Sequence, residues 1–425
     1  MHEGRKALKK LLAEHQEGTI SMSNFCAAPF VHMYVHSNEG ERVCCMSTEK
    51  GLVNRDTELD LKKRWTSEYY QNIRKAFLRN ERLDICVKCY DLEEHGGRSD
   101  RNNFNNMYLQ EGRRKNGIDV ELIPNVETGN QFDSPWDLDI RPGNLCNLKC
   151  RMCGPISSSI FQKEVQKHTF MEPLFGKGVF ETSDCLSGQE NLEWLLKACE
   201  NGDRVKFLGG EPTIMPEVDR ILDILIEKNL THVPLHFTTN CTNNNRRFID
   251  KISQFKRITF NYSIDGIEKT LEYIRAPVKY STVNTTLPIY HNLAMRDYSE
   301  ISYTLQAYNV FNLGDTIKWA ASHGVFLRPE ILRWPEWASL RSIPYEIRHK
   351  EFKRVLDELS AGRYKGHLKK IIPALEQAMA DTAEYNPKHL ARATKMFDQA
   401  RNQHCKDYLP EVWDIIKGLY DDIQI

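Results

Sequence analysis

Three cysteines packed into eight residues constrain this chain more than any other feature. Cys146, Cys150 and Cys153 are spaced C-x3-C-x2-C within Arg141-Pro142-Gly143-Asn144-Leu145-Cys146-Asn147-Leu148-Lys149-Cys150-Arg151-Met152-Cys153-Gly154, directly after a strand pattern at Trp136 to Ile140. Thiolates are soft ligands suited to iron, and three of them on one loop can hold three irons of a cubane. A structural metal site closes its shell with protein ligands, whereas an incomplete shell keeps a coordination position for substrate or cofactor, the logic of catalytic zinc sites. A zinc knob that borrows a distant ligand is the competing reading of this spacing.

The chain has 12 cysteines, and most of the others are grouped too. Cys26, the adjacent Cys44 and Cys45, and the close pair Cys86 and Cys89 precede the loop. Counting one of the adjacent pair, they could complete a four-cysteine shell for either a second iron-sulfur cluster or zinc. Neighbouring residues on a strand face opposite sides, so only one of Cys44 and Cys45 is expected to ligate. Cys185, Cys199, Cys241 and Cys405 are scattered and read as small buried or surface residues.

The N-terminal run MHEGRKALKKLLAEHQEG lacks the apolar core of a secretory signal, and no stretch of about eighteen apolar residues occurs. The expectation is a cytoplasmic protein with no membrane segment, in which cysteines bind metal rather than each other. Lys plus Arg equals Asp plus Glu at 58 each, so no global field attracts nucleic acid or an anionic membrane. Arg113-Arg114-Lys115 is too short to argue for nucleic acid.

Residues 5 to 16 read as a short amphipathic helix. Phe30 to Val35 alternates and, with a turn at Asn38-Glu39-Gly40 and a return strand at Arg42 to Met46, reads as a hairpin carrying cysteines. Trp65, Tyr69, Ile73 and Phe77 recur every four residues and predict one helical core stripe between Asp60 and Asn80. Residues 91 to 134 are rich in Asn, Gly, Arg and Asp and read as a connector. Beyond them strands are predicted at Trp136 to Ile140, Val205 to Leu208, Leu235 to Thr238, Arg257 to Ile264, Ile301 to Ala307 and Val325 to Ile331, with helical patterns between. That grammar is α/β: a parallel, partly closed (β/α)6 TIM-type barrel, with chemistry at the C-terminal ends of its strands. The expected organisation is a small α+β cluster domain over 1–95, a connector over 96–134, the barrel over 135–335 and a helical extension over 336–425.

The cysteine loop resembles that of the radical S-adenosylmethionine (radical SAM) family, and further motifs of that family fall at the expected strand ends. Gly209-Gly210-Glu211-Pro212 closes the second barrel strand and is similar to the family's GGEP element, whose backbone and Glu hold the methionine amino group. Ser263-Ile264-Asp265-Gly266 resembles its ribose-contacting S-x-D-G. Arg275 matches an Arg that pairs with the methionine carboxylate, a role suited to a guanidinium fork. Asn240 and Asn309 stand where further cofactor contacts are expected, and Met152 lies between the last two cysteines.

The resemblance implies a [4Fe-4S] cluster, S-adenosyl-L-methionine as cofactor, an external electron donor such as flavodoxin or ferredoxin, and hydrogen abstraction from a peptide side chain or small molecule. The upstream cysteines resemble a twitch domain, the shortened SPASM domain, which carries an auxiliary [4Fe-4S] cluster. Here it would precede the barrel instead of following it. The spacing Cys26-x13-Gly40-x4-Cys45 fits the SPASM-type pattern and favours Cys45 over its neighbour. Tyr303, Gln306, Tyr308, Arg333 and Trp334 lie near strand ends as candidate pocket residues. The rival reading is a non-catalytic iron-sulfur or zinc protein on the same scaffold, which would have no need of Glu211, Ser263, Asp265 and Arg275 together.

Overall fold

In a computed structural model, which describes residues 23–36, 42–48, 60–94, 99–108, 134–176, 188–200, 202, 204–295, 299–360 and 364–425, the strands follow one another in a single sheet. They are β1 (His32–His36), β2 (Asp137–Arg141), β3 (Arg204–Phe207), β4 (Leu235–Thr239), β5 (Ile258–Ser263), β6 (Glu300–Leu305) and β7 (Phe326–Ile331). Pairing is parallel in β1–β2 and throughout β4–β5–β6–β7. The six strands expected from the sequence all form, each within about two residues of its anticipated ends, which is the usual uncertainty of an element boundary. Helices lie between them, the α/β arrangement the alternating pattern implied.

The chain divides into two units, the first comprising Met1–Pro142, Ser183–Lys206 and Lys228–Val233 and the second the remainder. In the first unit β1 pairs in parallel with β2, His32 opposite Asp137, so the expected hairpin does not form. Residues 42–48 make turns and bends where a return strand was anticipated. The alternation at 30–36 is a barrel signature that cannot be told from a hairpin arm by periodicity alone.

The helix expected over 60–80 is two helices, Leu61–Trp65 and Glu68–Leu78, broken at Thr66 and restarted by Ser67, whose side chain accepts from Tyr70 N–H. The break rotates the stripe: Tyr70 is buried in place of Tyr69, beside Trp65, Ile73 and Phe77. Part of the anticipated connector is also helical, at Asp100–Tyr108. The expected helix at 5–16, the turn at 38–40, Cys185 and the basic run at 113–115 lie outside the described residues.

In the second unit, alternation along β5 sends Ile258, Phe260 and Tyr262 into the core and leaves Thr259, Asn261 and Ser263 half-buried. Phe260 stacks on Tyr290 of helix Tyr280–Leu293 at 5.0 Å and on Phe237 at 5.7 Å, and Phe237 stacks on Phe207 at 5.3 Å. This aromatic ladder anchors the β3 to β5 strand ends, each pair adding about 0.5–1.5 kcal/mol beyond its buried area. The C-terminal region is helical as expected, with Tyr345–Leu359, Lys365–Ala380, Pro387–Arg401, Cys405–Tyr408 and Pro410–Asp421.

Candidate cluster and cofactor site

The loop that follows β2 is held by backbone at both limbs. Lys149 N–H donates to Ala276 carbonyl at 2.7 Å and Arg151 N–H to Ile274 carbonyl at 2.8 Å, while Glu211 N–H donates to Leu145 carbonyl at 2.8 Å. Ser158 caps helix Ser159–Lys167 by accepting from Phe161 N–H, and its hydroxyl donates to Leu148 carbonyl at 2.5 Å. The two glycines after β3 are required by this packing. Gly209 has φ +117°, a conformation side chains avoid, and a Cβ on Gly210 would stand 2.2 Å from Leu145 carbonyl oxygen.

Cys146 and Cys150 are buried and Cys153 is half-buried. A hydrogen bond with Cys153 draws the Cys150 thiol below its ordinary value despite burial, and Arg275, with Nη1 3.7 Å from Cys150 Sγ, assists. Cys153 is the partner that keeps the shared proton and rises accordingly. Burial pushes the Cys146 thiol up to about 12, with nearby Cys150 and Glu211 acting in the same direction and Arg275 opposing them. Iron must therefore displace protons from these thiols on binding.

Glu211 is fully buried, and burial raises its carboxyl against the pull of its donors. Its Oε1 accepts from Thr213 N–H, Thr213 hydroxyl and Thr239 hydroxyl, whereas Oε2 takes a single bond, from Asn240 N–H at 2.6 Å. Pro212 opens the short turn after Glu211. Asn240 donates through Nδ2 to Asn147 Oδ1 at 2.9 Å, so its side chain steadies the cysteine loop. Arg275 is committed to Asp265: Nε and Nη2 approach the same Oδ2 at 2.7 and 2.6 Å, and both residues are buried. Asp265 Oδ1 accepts from Thr304 N–H at 2.7 Å. Ser263, half-buried at the end of β5, has a hydroxyl that makes no hydrogen bond among the described residues, and Met152 is half-buried on the loop.

The outer candidates divide. Asn309 spends its amide on the carbonyls of Asp265 and Thr304 and is a backbone bridge. Tyr303 and Tyr308 are core residues, donating to Asn309 carbonyl and meeting Thr394 hydroxyl. Gln306 is buried, whereas Arg333 and Trp334 are exposed. Thr213, Thr239 and Asn147, which hold Glu211 and Asn240, were not singled out from the sequence; the run Thr238-Thr239-Asn240-Cys241-Thr242 at the end of a strand was the available signal.

The upstream cysteines lie in the first unit, where Cys44 and Cys45 have different surroundings. Burial pushes the Cys44 thiol far up, with Cys45, Cys26 and Cys89 adding to it; burial likewise raises Cys26, with Cys86 and Cys89 adding. Cys45 turns elsewhere: its Sγ lies 3.7 Å from Asp100 Oδ2, and burial, Asp139 and Asp100 push it up to about 12. Cys26 and Cys89 thus act on Cys44, whereas the spacing of the sequence favours Cys45. Arg101 is buried, ion-paired with Glu93 and donating to Phe25 carbonyl beside Cys26 at 3.0 Å.

Among the described residues no three His, Cys, Asp or Glu side chains converge as ligands of one metal ion do. A cubane sets each thiolate on its own iron, so the donor sets fit a cluster by their chemistry: soft, buried, and at the loop backed by cationic Arg275. Glu211 Oε2 keeps acceptor capacity for an ammonium, and Ser263 hydroxyl is unspent.

Residues 140–305 match the family described as the Radical SAM superfamily. No curated protein matches the chain. Among solved structures, "Native anSMEcpe with bound AdoMet and Kp18Cys peptide" is 17% identical with TM-score 0.37, over 52% of this chain and 59% of that one. "Crystal structure of Streptococcus suis SuiB bound to precursor peptide SuiA" is 13% identical with TM-score 0.38, over 82% and 83%. "Structure of TYW1 with a lysine-pyruvate adduct bound" is 17% identical with TM-score 0.31, over 52% and 72%. The chain therefore spans less than two thirds of the first of these proteins.

Proposed function

From the match of residues 140–305 to the Radical SAM superfamily, we propose an enzyme that cleaves S-adenosylmethionine reductively and abstracts hydrogen from a peptide side chain or small molecule. The observation that carries this reading is one neighbourhood: the Cys146 thiol feels both Glu211 and Arg275, and Arg275 joins Cys150 to Asp265. Cys146, Cys150 and Cys153 would hold a [4Fe-4S] cluster with one iron open. When bound, cluster and cofactor supply a one-electron reduction that breaks a carbon–sulfur bond and yields a 5′-deoxyadenosyl radical.

The protein's own groups then orient and exclude. Glu211 accepts the methionine ammonium on Oε2, the oxygen with capacity to spare. Arg275 is held on two nitrogens by Asp265, which leaves Nη1, beside Cys150, to meet the methionine carboxylate. The ribose falls to Ser263, because Asp265 is spent on Arg275 and Thr304. Gly209 and Gly210 let the β3 turn lie against the loop, and Asn240 fixes Asn147 within it.

The second donor set, Cys26, Cys44, Cys86 and Cys89, would take an auxiliary [4Fe-4S] cluster that accepts or relays the electron left on the substrate, with flavodoxin or ferredoxin as external donor. Anaerobically reconstituted protein with dithionite and S-adenosylmethionine is expected to release 5′-deoxyadenosine, and Cys150→Ala to release none. Release that survives Cys150→Ala would overturn the assignment.

A further inference from the structure

The helix Pro387–Arg401 lies far from the cysteine loop in sequence yet pairs directly with Arg151, on one flank of Cys150, and through Glu164 with Lys149 on the other. Arg151, fully buried, has its guanidinium 3.5 Å from the Tyr273 ring centroid. Its Nε donates to Tyr273 carbonyl at 2.9 Å, and its Nη2 donates to Asp398 Oδ1 at 2.8 Å and Gln403 Oε1 at 3.0 Å. Asp398 is itself anchored, accepting from Tyr273 hydroxyl at 2.7 Å, Cys405 N–H at 2.8 Å and Tyr420 hydroxyl at 3.2 Å. On the other flank Lys149 pairs with Glu164, and Arg401 grips the same carboxylate through Nη2 at 2.7 Å. Phe397 and Ala393 pack with Phe161, Val165 and Met171, and Cys153 lies against that cluster.

These groups leave a charge surplus. Four cations, Lys149, Arg151, Arg275 and Arg401, face three anions, Glu164, Asp265 and Asp398, which is one positive charge in excess. Arg151 Nη1 and Arg401 Nη1 are both buried without a hydrogen-bond partner. Glu211, buried near Cys146, is a further carboxyl in this neighbourhood, and an anionic centre on the loop would meet the unspent donors of Arg151 and Arg401. Buried charge and solvent exclusion are among the levers that set the potential of an iron-sulfur cluster.

We propose that helix Pro387–Arg401 is the electrostatic half of the loop site: Arg401 and Glu164 on one flank of Cys150, and Arg151 and Asp398 on the other, position the loop and set how readily its cluster accepts an electron. This rests on the cluster reading above. It gives the C-terminal extension a role in the chemistry through positioning residues that do not touch the cofactor.

The test is a redox titration of reconstituted protein, following the electron paramagnetic resonance signal that changes on addition of S-adenosylmethionine. Arg401→Gln removes a cation and is expected to move the midpoint to more negative potential. Glu164→Gln removes an anion of the same buried pair and is expected to move it the opposite way, with Arg401→Lys lying near wild type. General loosening of the fold would shift both variants in one direction, so shifts of the same sign, or no shift, overturn the proposal. A variant that does not load iron is replaced by Asp398→Asn, studied iron-free by hydrogen exchange. The Lys149 and Arg151 amides are expected to exchange at least about tenfold faster, an opening easier by about 1.4 kcal/mol, and unchanged exchange overturns the positioning role. A wild-type protein with no cofactor-sensitive signal overturns the cluster reading and this inference together, whereas a normal signal with unmoved potentials overturns this inference alone.

Discussion

Replacing Asp265 by Asn keeps the shape of the side chain and removes its charge, which isolates the Asp265–Arg275 pair. Arg275 places Nε and Nη2 at 2.7 and 2.6 Å from one carboxylate oxygen, and both residues are buried. Removing one partner of such a pair leaves an uncompensated buried charge and costs about 3–5 kcal/mol. The Thr304 N–H, which donates to the other oxygen at 2.7 Å, can still meet the amide oxygen of Asn. Arg275→Met removes the charge from the other side. The double variant has no stranded charge, so its loss of stability should fall short of the sum of the single losses by about 3 kcal/mol, roughly a hundredfold in the folding equilibrium. Urea unfolding of iron-free protein measures all three. Losses that add within about 0.5 kcal/mol would show that the pair is not coupled and refute its role as the strut behind Cys150.

Three further outcomes follow from the geometry. Cys44→Ser is expected to lower the iron content from about eight to about four per chain, while Cys45→Ser retains it; the reverse pattern would reassign the ligand. Gly210→Ala drives a Cβ against Leu145 carbonyl at 2.2 Å, so the loop must shift. A destabilisation of about 1–3 kcal/mol with weakened S-adenosylmethionine binding is expected, read by thermal melting and calorimetry, and wild-type values in both would contradict the packing. Burial pushes the Asp137 carboxyl up, but Arg204 and His32 together outweigh it and the folded value lies well below the usual carboxylate range. A depressed folded value gives stability that is present above the unfolded value near pH 4 and lost as pH falls through the folded one. Arg204→Met is therefore expected to flatten the acid limb of a stability–pH curve measured by circular dichroism, and an unchanged limb would contradict the assignment.

The strands were legible because Val205 and Phe207, or Ile258, Phe260 and Tyr262, alternate inside short runs, and parallel pairing follows from helices between them. The cysteine loop was legible because its three cysteines lie within eight residues. What the sequence did not disclose depends on partners far along the chain. Cys44 and Cys45 differ only in which way the turn at 42–48 presents them, and no local pattern encodes that. The strand at 32–36 pairs with 137–141, about a hundred residues away, and its alternation fits a hairpin equally well. Ser67 interrupts a regular four-residue spacing because its hydroxyl competes for Tyr70 N–H, a cap that outweighs the pattern. The pairing of Arg151 with Asp398 spans 247 positions, and neither residue carries a motif that names the other.

The proposed open iron can be examined directly. Electron paramagnetic resonance of dithionite-reduced, anaerobically reconstituted protein is expected to show a [4Fe-4S] signal that changes shape when S-adenosylmethionine is added, and to lose that change in Cys146→Ala. An iron-free protein, or a cluster signal indifferent to S-adenosylmethionine, would contradict the account.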